Sequence, residues 1–196
     1  MKKIRLNISV IVLVTLALPY VAFSQSDFDK YIDSIRKAGM SEMASNDISM
    51  IADILAGGTS LKVTREPDGN VGRSYMSKMC FVPTKDPELL EKQNRFHETI
   101  QGREDAWIKF LQRQADTDNS GFVSTKEASI LRRRIELGII ASQISSNVDE
   151  LAKVMFKDRA EIISDINEYS RIFTEAQKQG LEGMPELPIG LQKVDK

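Results

Sequence analysis

Residues 116–127 read DTDNSGFVSTKE, and oxygen-bearing side chains recur along this twelve-residue run at alternate places. Asp116, Asp118 and Ser120 stand first, third and fifth; Ser124 is ninth and Glu127 last. Such spacing suits a hard divalent cation. Calcium takes roughly six to eight oxygens at about 2.3–2.6 Å, and a short loop can wrap it only if its ligands alternate. Gly121, in the sixth place, permits the positive φ of a sharp turn, which would aim the backbone carbonyl of Phe122 at the ion. Phe122 then contributes its backbone and not its ring. Ser124 would bind directly or through a water, and Glu127 would close the site with both carboxylate oxygens. Val123 is the apolar residue expected to pack inward.

With its helical flanks, the run resembles the loop of the EF-hand calcium-binding family; the resemblance spans the twelve-residue loop, and six of its positions agree at once. The resemblance implies one helix-loop-helix unit with Ca2+ as cofactor. Its implied metal ligands are Asp116, Asp118, Ser120, Phe122, Ser124 and Glu127. The competing interpretation is an acidic polar turn between two helices. One departure is the entering helix, where Gln112 and Ala115 replace the bulky apolar residues more usual in the family. EF-hand loops mostly come in pairs, yet no second loop has the required spacing. Asp158 to Asp165 lacks a turn glycine, and Asp68 to Gly72 lacks both ligand alternation and a closing glutamate. A degenerate helical partner or self-association is therefore expected to cover the open side of the loop.

The elements that must position the loop are mostly helical, so the expected fold class is all-α: a helical bundle containing the one EF-hand unit. Ser26 can cap a helix through about Lys37, and Ser41 with Ser45 or Asn46 can open another that ends at Gly57 and Gly58. Leu61, Val63 and the turn residues Pro67-Asp68-Gly69-Asn70 leave an extended hairpin or an irregular segment open over 59–82. Asp86 caps and Pro87 starts a helix that carries Leu89, Leu90, Phe96, Ile100, Trp107, Ile108 and Leu111 into the loop. Gly102 is expected to weaken or bend it. Beyond the loop, Ala128, Leu131 and Ile135 recur at helical spacing. A long helix from near Asn147 to about Lys178 carries Leu151, Met155, Ile162, Ile166, Tyr169 and Phe173 on one face, which reads as core rather than a partner-binding seam. From Leu181 onward the glycines and prolines predict a mobile tail.

At the N-terminus, Lys2, Lys3 and Arg5 precede an apolar run from Ile8 to Leu18, ended by Pro19, with small Ala22 and Ser24 after it. This pattern is that of an export signal cleaved after Ser24, because the run is short for a membrane anchor. The organisation expected is a signal peptide over 1–24, a helical region over 25–83, an EF-hand domain over 84–180 and a tail over 181–196. The mature chain would be periplasmic or secreted, without membrane attachment. Cleavage would take the formal charge from −1 to −4, leaving 24 basic against 28 acidic residues. That balance argues against nucleic acid as a partner. Arg132, Arg133 and Arg134 splay around a helix and read as a solvated face. Cys80 is the only cysteine, so no disulfide within the chain can form. Between Met79 and Phe81 it reads as a small buried hydrophobe, with a covalent dimer as the other outcome.

No catalytic pattern accompanies these features. His97 is the only histidine, and Gln101 stands where a zinc-protease helix would place the second. Gly57-Gly58 lacks the lysine and hydroxyl residue of a phosphate loop, and there is no nucleophile elbow. The expectation is a non-enzymatic calcium-binding structural or interaction module. Its partners would be the ion and either an envelope protein or a second copy. The alternative is a calcium-independent helical adaptor or assembly subunit of the cell envelope.

Overall fold

A computed structural model describes residues 39–67, 70–79 and 82–192. The export signal, the first expected helix, Cys80, and Asp68 and Gly69 of the expected turn lie outside the described residues. Within them the chain is mostly helical, with one antiparallel hairpin: α1 Glu42–Ala56, β1 Thr59–Arg65, β2 Val71–Ser77, α2 Pro87–Ala115, α3 Thr125–Ile144, α4 Val148–Met155, α5 Arg159–Lys178 and α6 Ile189–Gln192. Among the described residues, no helix is long and apolar enough to cross a membrane.

Local chemistry explains the first boundaries. The Ser41 hydroxyl accepts the Ala44 N–H at 3.2 Å to start α1, and Gly57, at φ +88°, ends it in the left-handed region that an L-residue avoids. Ala44, Ile48, Ile51, Ala52 and Leu55 form the buried face of α1, which packs against both α2 and α3. Asp86 accepts the Glu88 N–H at 3.0 Å, and Pro87 occupies the first turn of α2, where no N–H is needed. The helix runs unbroken past Gly102. Its C-terminal half buries Ile100, Trp107, Phe110, Leu111 and Ala115, whereas Leu89, Leu90 and Phe96 remain exposed.

The open choice over 59–82 resolves as a hairpin, with Leu61 opposite Tyr75 and Val63 opposite Arg73. Leu61 and Val63 face the core. The Gln143 side chain on α3 docks on the outer edge of β1: Val63 N–H donates to Oε1 at 3.0 Å, and Nε2 donates to the Leu61 carbonyl at 2.9 Å. One side-chain amide thus does the work of a neighbouring strand.

Two expectations about the C-terminal half are corrected. The single helix expected over Asn147 to Lys178 is two helices. Phe156 turns left-handed at φ +52° and closes α4 through bonds to the Ala152 and Lys153 carbonyls; Asp158 then caps α5 by accepting the Glu161 N–H at 2.8 Å. The apolar face nevertheless reads correctly as core, since Leu151, Ile162, Ile166 and Tyr169 are buried. Nor does the described part of the expected mobile tail hang free, because Met184, Leu187 and Leu191 are buried. Trp107 Nε1 donates to the Glu182 carbonyl at 3.1 Å, and Tyr169 Oη donates to that of Pro185, so the segment is strapped across α2 and α5.

The arginine triplet also departs from a uniformly solvated face. Arg133 is exposed, but Arg132 bridges Asp47 on α1 at 2.7 Å and Glu136 at 2.9 Å, while Arg134 reaches Asp165 on α5 at 3.3 Å. Glu136 is an i,i+4 neighbour of Arg132 on α3 itself, whereas helix packing brings Asp47 and Asp165 to the guanidinium groups, which a face drawn on an isolated helix cannot register.

Candidate metal centre

The acidic run connects α2 to α3. Gln112 O accepts the Asp116 N–H at 3.1 Å to finish α2, and Ser124 caps α3. Between them the chain turns through Asn119 at φ +54° and Gly121 at φ +76°. The glycine supplies its left-handed geometry without strain.

This turn gathers the side chains singled out by spacing. Asp116, Asp118 and Glu127 each present a carboxylate oxygen, and those oxygens lie within 4.8 Å of one another. Ligands on opposite sides of one ion held at about 2.4 Å stand roughly 4.8 Å apart, so the three carboxylates fit a single hard cation. Ser120 Oγ lies 3.0 Å from the Phe122 carbonyl oxygen and 3.4 Å from Asp116 Oδ1. The longer separation matches adjacent ligands of such a shell, about 3.4 Å apart when the bonds are near 2.4 Å, and the shorter is a hydrogen bond that the Ser120 hydroxyl donates to the Phe122 carbonyl. The Phe122 ring is exposed. Val123 is 1 % exposed.

Backbone amides hold the carboxylates in place. Asp116 accepts the Ser120 and Gly121 N–H groups, each at 2.9 Å, and Asp118 accepts that of Ser120 at 3.0 Å. Glu127 is gripped from two sides. Its Oε2 accepts the Ser124 N–H at 3.0 Å and hydroxyl at 2.8 Å, and its Oε1 accepts the Thr117 N–H at 3.1 Å and hydroxyl at 2.9 Å. The Ser124 amide and hydroxyl, then the Thr117 hydroxyl, favour the anion and lower the Glu127 pKa to about 2. Ser124 therefore directs its hydroxyl at Glu127, forming a reciprocal capping box at the start of α3.

Two participants were not apparent from ligand spacing. Thr117, in the second place of the run, orients Glu127 and has no ligand role in the spacing argument. The other is the segment Gly39 to Ser41. Val123 N–H donates to the Gly39 carbonyl at 2.7 Å, the Val123 carbonyl accepts the Ser41 N–H at 3.1 Å, and Met40 and Val123 form an isolated parallel bridge. The Ser124-x-x-Glu127 pattern before an apolar series could have announced the capping box. A three-residue backbone pairing carries no comparable side-chain signature. In comparisons with known proteins, no family model, no curated protein and no solved structure matches this chain.

Proposed function

We propose that the chain is an exported calcium-binding protein in which one EF-hand loop, between α2 and α3, serves a structural or interaction module. The observation that carries this reading is the convergence of Asp116, Asp118 and Glu127 within 4.8 Å, beside the Ser120 hydroxyl and Phe122 carbonyl. Residues 116, 118, 120, 122 and 127 would supply the ligands, with Ser124 acting directly or through water and holding Glu127. All are hard oxygens, which favours calcium over softer metals. Three carboxylates in a single loop place the affinity in the weak range, about 10⁻⁴–10⁻³ M, which suits a calcium-rich compartment outside the cytosol. Export rests on Lys2 to Ser24, the basic and apolar pattern at the N-terminus.

Calorimetric titration of the chain with calcium tests the reading. Saturable binding is expected, with loss of the heat in Glu127→Gln; no binding, or a variant indistinguishable from the unaltered chain, would sink it.

A second reading also has support. Because the loop's own amides and hydroxyls hold all three carboxylates, it could serve as a rigid corner of a calcium-independent envelope adaptor or assembly subunit. Such a protein would have the same melting temperature in calcium and in chelator.

A further inference from the structure

We propose that Gly39–Ser41 is the positioning partner of the cation loop, so that calcium uptake and docking of this segment are linked within one chain. This inference rests on the calcium reading above. Its physical basis is the planarity of the peptide bond. The Phe122 carbonyl and Val123 N–H belong to one trans peptide plane and point in opposite directions. Val123 N–H is fixed on the Gly39 carbonyl at 2.7 Å, so the Phe122 carbonyl is turned toward the acidic loop, where its oxygen meets Ser120 Oγ.

The next plane repeats the device. The Val123 carbonyl receives the Ser41 N–H at 3.1 Å, and the Ser124 N–H on the far side of that plane points at Glu127 Oε2, 3.0 Å away. Two hydrogen bonds from one short segment thus orient a backbone ligand and the donor that holds the closing carboxylate. The segment is itself closely fitted. Gly39 has φ +73°, and a Cβ there would stand 2.8 Å from the Gly121 carbonyl oxygen. Ser41 and Thr125 share a hydroxyl hydrogen bond of 3.0 Å, and Ser41 caps α1. No second loop and no second copy is needed to orient these groups.

Linkage must be reciprocal: if the segment favours the binding geometry, the ion favours the docked segment. Calcium titration of the full chain is paired with hydrogen exchange at the Ser41 and Val123 amides, in saturating calcium and in chelator. Gly39→Ala should bind calcium about fivefold or more weakly. Gly180→Ala is the control, because Gly180 also has positive φ, +71°, but no atom within 4 Å of an added Cβ; it should leave affinity unchanged. In the unaltered chain, calcium should slow exchange at Ser41 and Val123 by about fivefold or more, beyond any change at Ile172 in α5.

Unchanged exchange at those amides while calcium binds overturns the inference and leaves the calcium reading standing. So does a folded Gly39→Ala whose affinity stays within about twofold. Should Gly39→Ala fail to fold, the exchange measurement on the unaltered chain decides alone. An unaltered chain that takes up no calcium overturns the parent reading and this inference together.

Discussion

Ser124 and Glu127 satisfy each other at the start of α3: the Ser124 amide and hydroxyl donate to Glu127 Oε2 at 3.0 and 2.8 Å, and the Glu127 N–H returns a bond to the Ser124 hydroxyl at 3.3 Å. The same carboxylate closes the acidic loop, so one residue caps the start of a helix and joins Asp116 and Asp118 in the carboxylate cluster. A carboxylate also belongs at this place electrostatically, because a helix N-terminus favours negative charge.

Glu127 should consequently titrate well below the ordinary glutamate value. With its pKa lowered from 4.5 to about 2, the ionised side chain stabilises the fold fully above about pH 4.5, and that contribution disappears as pH falls toward 2. In chelator, the melting-temperature deficit of Glu127→Gln should be largest near neutrality and should shrink through this window. A carboxyl-carbon NMR titration with its midpoint near 4.5 would contradict the geometry.

Gly138 faces the ring of Tyr169, and a Cβ at that position would lie 2.0 Å from the ring. The ring is fully buried and its hydroxyl is tied to the Pro185 carbonyl, so it has little room to yield. Gly138→Ala should cost about 1–3 kcal/mol or more by overpacking. Tyr169→Phe, which removes only the hydroxyl, should cost less, about 0.5–1.5 kcal/mol. Denaturant unfolding of both variants checks the order, and a neutral Gly138→Ala would refute the contact.

The boundary at Phe156 makes the opposite prediction. Phe156 is 88 % exposed yet holds φ +52°, a conformation that costs a side-chain-bearing residue roughly 1–2 kcal/mol. Phe156→Asn keeps the turn and relaxes that strain, so stability should rise by about 0.5–1 kcal/mol. A loss of stability instead would show that the ring makes contacts beyond those described.

What could be read from the chain depended on whether a feature lives in side chains or in backbone. Ser41 with Gly57, and Asp86 with Pro87, mark helix ends because their chemistry is local, and both pairs stand where expected. The acidic loop was legible for the same reason: its alternation reflects distances within one turn. The break at Phe156 was hidden because the apolar series from Leu151 to Ile166 keeps helical intervals across it, and a phenylalanine is not a usual left-handed terminator. Asp158 and Glu161, spaced as a capping pair, were the available hint. The strap from Leu181 has no periodicity, and its buried Met184, Leu187 and Leu191 find their places only once α2 and α5 exist. The pairing of Gly39–Ser41 with Val123 is made by main-chain groups that every sequence possesses.

The size of the calcium effect on stability separates the two functional readings. A ligand that binds only the folded chain adds RT ln(1 + [L]/Kd) to its stability. With dissociation constants of about 10⁻⁴–10⁻³ M, calcium near 10 mM should contribute about 1.4–2.7 kcal/mol. For a chain of this size, that raises the melting temperature by about 3–10 °C over chelator. Glu127→Gln should flatten the response, whereas a remote substitution such as Gly102→Ala, on an exposed stretch of α2 with nothing within 4 Å of the added Cβ, should raise both melts equally. Calorimetric scans at several calcium concentrations then give a slope against log concentration. A positive slope that vanishes in Glu127→Gln supports the ion as part of the fold, and a flat one in the unaltered chain leaves the loop as a hydrogen-bonded corner.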